Sequence, residues 1–202
     1  MKTFIAPLAQ TIVLLAASLV LQLPAQAQPS PELQTPVAST YYPGGLLKQQ
    51  VEQTRSRRVE RSFYPSGVMQ REQIWAMNGA TPVKERDVTF SSAGVMLHEQ
   101  RWAAGEPVTD LEFLVTGLLV SRKEYIGMGA TRELLVQTYF SSGVLASEER
   151  FAVTQRGGQR PIGAQKKFDT SGRLISERTF DEDGRLTLDK AWSASGELMP
   201  AR

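Results

Sequence analysis

From Tyr41 to the end of the chain, apolar positions keep a fixed phase to glycine. An aromatic residue stands four before the glycine and Leu or Met two after it. The pattern is YYPGGLL at Gly45, FYPSGVM at Gly67, FSSAGVM at Gly94 and FLVTGLL at Gly117. It returns as YFSSGVL at Gly143, FDTSGRL at Gly172, FDEDGRL at Gly184 and WSASGEL at Gly196. Eight of the 16 glycines meet both conditions in a chain with 8% aromatic residues, so the spacing is an internal repeat. A second aromatic follows most of these glycines by eight residues: Trp75, Trp102, Tyr125, Phe151, Phe180 and Trp192, with Gln53 in that place after Gly45.

Successive glycines are separated by 22, 27, 23, 26, 29, 12 and 12 residues, so the elementary unit is 12 residues and the longer gaps hold two units with an insertion. Residues before the glycines (Pro-Ser, Ser-Ser, Glu-Asp, Ala-Ser) are turn formers, and glycine supplies a positive φ. The segment from two to eight residues after each glycine then reads as a seven-residue strand. Its Leu or Met and its second aromatic are six apart, which in an unbroken strand puts them on one face. Between them lie polar runs, QREQ, LHEQ, ASEE and ISER. Short strands with one apolar face and tight turns predict an all-β fold, an antiparallel meander of β-hairpin repeats forming an elongated sheet. Glycine every 12 residues would leave helices of about two turns, which are marginal in water. Residues 46–61, LLKQQVEQTRSRRVER, stay open between helix and hairpin.

The N-terminal segment follows another logic. In residues 1–27, Lys2 precedes an apolar stretch from Ile12 to Leu23, Pro24 breaks it, and Ala25-Gln26-Ala27 has the small-x-small form of a cleavage site. This predicts a signal peptide cleaved after Ala27 and a periplasmic or secreted protein, with membrane contact only during export. Residues 28–40, with Pro29, Pro31 and Pro36, read as a Pro-rich flexible leader, and residues 41–202 as the β-repeat domain.

The units FDTSGRLISERTF, FDEDGRLTLDKAW and FYPSGVMQREQIW, with the half-unit WAMNGATPVKERDVTF, resemble the MORN-variant repeats of antitoxin-type proteins across residues 41–198. The Phe-Asp-x-x-Gly-Arg-Leu pair at 168–174 and 180–186 is also similar to YD repeats of large secreted toxins. The resemblance implies stacked hairpins in an elongated antiparallel sheet and protein binding, with no catalytic residues to carry over. The insertion at residues 155–165, QRGGQRPIGAQ, departs from the pattern.

Composition narrows the chemistry. Cysteine is absent, which removes disulfides, thiolate catalysis and Cys-ligated metals. His98 is the one histidine, and the net charge of +2 gives no reason to expect nucleic acid. Glu72, Glu99, Glu148, Glu177 and Asp189 recur five residues after a glycine, the placement of a ladder rather than of a converging acid pair, with Arg71, Arg150 and Arg178 as expected cross-strand partners. Asp181-Glu182-Asp183-Gly184 lacks the remaining ligands of a calcium loop and reads as a turn. Arg55, Arg57, Arg58 and Arg61 are diluted by Glu52 and Glu60 and read as a solvated hairpin. His98 reads as an ordinary polar strand residue, and Ser141-Ser142 has no nucleophile-elbow context. No catalytic residue, metal ligand or cofactor is expected, and no residue is assigned to a binding site. The expected function is that of a non-enzymatic protein-interaction module of the cell envelope. A cell-wall glycan binder and an immunity or antitoxin-like protein are the alternatives.

Overall fold

The computed structural model describes residues 36–79, 81–127, 129–154 and 157–200. The expected signal peptide and the leader up to residue 35 lie outside these residues. The described chain forms one antiparallel sheet. Its strands are β1 (Pro36–Tyr41), β2 (Leu47–Gln53), β3 (Arg57–Phe63), β4 (Met69–Asn78), β5 (Thr81–Phe90), β6 (Met96–Ala103) and β7 (Glu106–Phe113). They continue as β8 (Leu119–Ile126), β9 (Glu133–Tyr139), β10 (Leu145–Val153), β11 (Gln159–Pro161), β12 (Gly163–Phe168), β13 (Leu174–Phe180) and β14 (Leu186–Ala191). Each strand pairs with its sequence neighbour, except that β10 pairs with both β11 and β12, and the sheet is open at β1 and β14. The meander expected from the repeat is therefore the fold. Residues 46–61 are not helical: they build the β2–β3 hairpin, turning at Thr54–Arg57. Residues 36–40 of the Pro-rich stretch already belong to β1.

The repeat motif encodes a particular turn. At Gly67, Tyr64 N–H donates to Val68 O (2.8 Å) and Gly67 N–H donates to Tyr64 O (2.9 Å), with Gly67 at φ +84°. This is a three-residue hairpin loop whose last residue is left-handed and forms a bulge. All eight motif glycines adopt it, with φ between +80° and +87°. The residue three before the glycine can add a side-chain acceptor: Asp169 Oδ1 takes Ser171 N–H (2.8 Å) and Arg173 N–H (3.0 Å), and Asp181 Oδ1 does the same for Asp183 and Arg185. The acidic run at 181–183 is thus a turn, as the sequence implied. At the irregular insertion the same pair of backbone hydrogen bonds recurs, Thr154 N–H donating to Gly158 O (2.9 Å) and Gly157 N–H to Thr154 O (2.8 Å), with Gly157 at φ +78°.

The two halves of the motif meet across the turn. Phe63 is paired with Met69, Phe90 with Met96, Phe113 with Leu119, Tyr139 with Leu145 and Phe168 with Leu174. Immediately above each pair the register slips by one residue: Ser62 faces Arg71, so Gln70 is extra. The slip corrects one sequence expectation. Alternation resumes beyond the bulge in the opposite sense, so Met69 and Trp75 occupy opposite faces despite their even spacing. One face, called the back here, carries the first ring and the aliphatic residue of these five pairs. The front carries Trp75, Trp102, Tyr125, Phe151 and Phe180 near the other end of the strands.

A single layer has no second sheet to bury against, and its core is correspondingly small. Val59, Ile74, Val88 and Leu134 are the buried apolar residues among those described, with Asp87 (6% exposed) and Glu99 (4%) buried beside them. Val59 pairs with Ile74, and Val88 lies between Glu72 and Glu99. Long charged side chains on both faces supply the cover that a second layer would give elsewhere.

Candidate binding surfaces

On the back, an alternating ladder crosses β2 to β6. Arg61 Nη1 donates to Glu52 and Nε to Glu72, both at 3.0 Å; Arg86 donates to Glu72 (3.3 Å) and Glu99 (2.7 Å); Arg101 donates to Glu99 (3.0 Å). Burial disfavours the Glu99 carboxylate, but the hydrogen bonds from Arg86 and Arg101 outweigh it and hold its pKa below the ordinary range. Two of the acids five after glycine, Glu72 and Glu99, therefore belong to a ladder, and their partners are Arg61, Arg86 and Arg101 rather than those expected. Glu148 accepts from Gln137 (2.8 Å), Arg71 turns to Asp87 on the front and Arg150 to Glu133, whereas Arg178 meets Asp189 across the strands as expected. Arg71 lies on the face opposite Glu72, as neighbours on a strand do, and so pairs on the front. Of the arginine cluster, Arg61 belongs to the ladder and Arg58 pairs with Glu60, while Arg55 and Arg57 stay exposed at the hairpin turn.

The front has two polar nodes. Asp87 receives Arg71 through both oxygens (2.8 and 2.6 Å), Gln73 (2.8 Å) and Lys84 (2.9 Å). Burial pushes its carboxyl up, yet the Arg71, Lys84 and Gln73 hydrogen bonds win and lower it to about 2. At the second node, Asp110 is bonded to His98 Nε2 (2.8 Å) and Gln100 Nε2 (2.9 Å), with Lys123 Nζ at 3.7 Å. His98, Asp110 and Glu112 bring potential ligand atoms within 4.8 Å of one another. Asp110 is engaged across the strands by His98, Gln100 and the nearby Lys123 cation.

Beyond these nodes runs the front row of rings. Arg58 lies over Trp75 (5.9 Å to the ring centroid), Lys84 over Trp75 (6.0 Å) and Trp102 (5.1 Å), and Arg132 over Tyr125 (4.3 Å). Trp75 and Trp102, on β4 and β6, are two strands or about 10 Å apart. Tyr125 is opposite Leu134, which is opposite Phe151, which is opposite Pro161. The row is half-buried, its rings covered in part by the aliphatic stems and cations between them. Where β10 leaves β12, two extra residues open the sheet. Arg150 O there accepts from both Ile162 N–H (3.0 Å) and Gln165 Nε2 (2.7 Å). A groove of about 270 Å³ results, lined among others by Glu149, Phe151, Pro161, Gln165, Arg178 and Phe180. The sequence named the ring series but placed it on one face with the aliphatic residues, and it marked the place of this opening only as the irregular insertion at residues 155–165.

No family model matches the chain, and no curated protein is significantly similar to it.

Proposed function

We propose that this protein is an exported, non-catalytic interaction module that presents its single-layer sheet to a protein of the cell envelope. The observation that carries the reading is the front row: half-exposed rings interleaved with cations, continuing from β3 to β13 on a surface that nothing else in the described chain covers. Rings beside basic groups combine apolar contact with charge-assisted hydrogen bonding, the composition of interface anchors. An extended row also suits a long partner segment better than a compact ligand. The test is capture from envelope extract by wild type and by Trp102→Ala. A saturable partner lost with Trp102→Ala, the thermal midpoint being otherwise little changed, supports the reading; no saturable partner sinks it.

The spacing of Trp75 and Trp102 favours one second reading, a linear cell-wall glycan stacked on the two indoles. Glycan retention abolished by Trp75→Ala or Trp102→Ala without unfolding would establish it. Loss of the fold in either variant would show that the rings serve mainly as core.

A further inference from the structure

The motif turns, unlike the strands, are free of charge through most of the sheet. The turns at 42–46, 64–68, 91–95, 114–118 and 140–144 read YPGGL, YPSGV, SSAGV, LVTGL and FSSGV. Their 25 positions contain no charged residue, where the chain's 22% would place about five. All five lie at the same end of the sheet, because each follows an odd-numbered strand of the meander. The later turns DTSGR, DEDGR and SASGE are charged. Tyr41, Leu46, Val115, Leu118, Leu198 and Met199, six of the eight exposed large apolar residues among those described, lie at this end, with Val115 70% and Leu118 41% exposed.

The turns satisfy part of their backbone internally. Each turn closes its own pair of backbone hydrogen bonds. Tyr42 OH donates to Phe63 O (2.8 Å) and Tyr64 OH to Phe90 O (2.9 Å), tying each turn to the next, and Ser91 Oγ accepts from Ala93 N–H and Val95 N–H. Without charges, such a surface loses less on approaching an apolar phase than a charged turn would. Neighbouring turns also pack together, Val68 Cγ1 lying 3.7 Å from where a Cβ on Gly94 would stand and Val95 Cγ1 3.8 Å from the same point on Gly117.

We infer that this end of the sheet docks on the interfacial region of a lipid bilayer, led by the turn Leu114–Leu118. Sheet twist of about 20° per strand rotates successive turns by about 40°, so a flat surface meets one turn first, with its neighbours flanking it. The few side chains then in contact fall far short of the ~800 Å² per partner that a stable protein pair requires. A bilayer interface needs no complementary cleft, accepts Val and Leu among acyl chains and holds Tyr at headgroup level. Among the described residues no helix is long and apolar enough to cross a membrane, so the contact proposed is with its surface. The inference uses the turn end, not the front row, and either can fail without the other.

The chain has no cysteine, so Val115→Cys and Ile126→Cys, each labelled with a polarity-sensitive dye, report on the two ends of the sheet separately. The form beginning at Gln28 keeps every strand and omits the apolar segment at 12–23. With neutral phosphatidylcholine vesicles at millimolar lipid, the dye at 115 shifts to the blue, the shift persists in high salt, and the dye at 126 does not respond. In the unlabelled protein, Val115→Asp with Leu118→Asp lowers the vesicle-bound fraction at least about tenfold, with the thermal midpoint unchanged. Any of three results overturns the inference: no binding, binding confined to anionic vesicles and removed by salt, or a dye at 115 that responds to a soluble protein but not to vesicles.

Discussion

Met69 and Trp75, six residues apart on β4, face opposite sides of the sheet: Met69 is opposite Phe63 on the back, and Trp75 is opposite Arg58 and Lys84 on the front. A double-mutant comparison checks this. Met69→Ala and Trp75→Ala have no shared neighbours, so their destabilisations should add within about 0.5 kcal/mol. Phe63→Ala and Met69→Ala remove one cross-strand pair and should couple by about 0.5 kcal/mol or more. Each single ring-to-alanine change should cost about 1–2 kcal/mol, below the 3–5 kcal/mol of a fully buried ring, because water reaches both faces. Denaturant unfolding measures all of these.

Ala104 is the one described non-glycine residue with positive φ, at +51°, in the two-residue turn with Gly105 (φ +81°). Both positions of such a turn favour residues that tolerate left-handed backbone, and Asn-Gly is the preferred pair. Ala104→Asn should stabilise the protein by about 0.5–1 kcal/mol and raise the thermal midpoint by about 2 °C, as calorimetry would show.

Asp87 sets the acid limit. Its ordinary value is 3.8 and the fold lowers it to about 2, so the native state binds fewer protons than the unfolded chain in this window. The stabilisation, about 2 kcal/mol, is complete above pH ~4 to 5 and is lost as pH falls through about 2. Glu99 and Asp110 are shifted in the same direction and add to the slope. Asp87→Asn should lower stability at pH 7 by about 2 kcal/mol, through the loss of charge pairing with Arg71 and Lys84, and flatten the acid limb below pH 4. An acid limb unchanged by Asp87→Asn would show that Asp87 does not set it.

The strands were legible because the information is local. The expected seven-residue segments coincide with β2 and β13, and they begin β4, β6, β8 and β10. The return strands, such as β3 and β9, were harder to read because they end at the aromatic but begin at turns of varied form, from Thr54–Arg57 to the 3-10 turn at Gly129–Thr131. The Arg71–Asp87 pair was out of reach, since a partner sixteen residues away depends on the register of two strands. The proposed binding row was half visible: its rings stood out, but its Lys84 and Arg132 covers, on β5 and just before β9, occupy positions outside the repeated motif.

The sequence alone determined the fold class and the turn, because a ring, a glycine and an aliphatic residue at fixed spacing act within one hairpin, where sterics and chain reversal decide the outcome. Only the tertiary structure decided which face each ring takes, which charges pair and where the sheet opens. The physical reason is the bulge: one unpaired residue per turn inverts every side chain beyond it, and its effect becomes definite only when the neighbouring strand fixes the register.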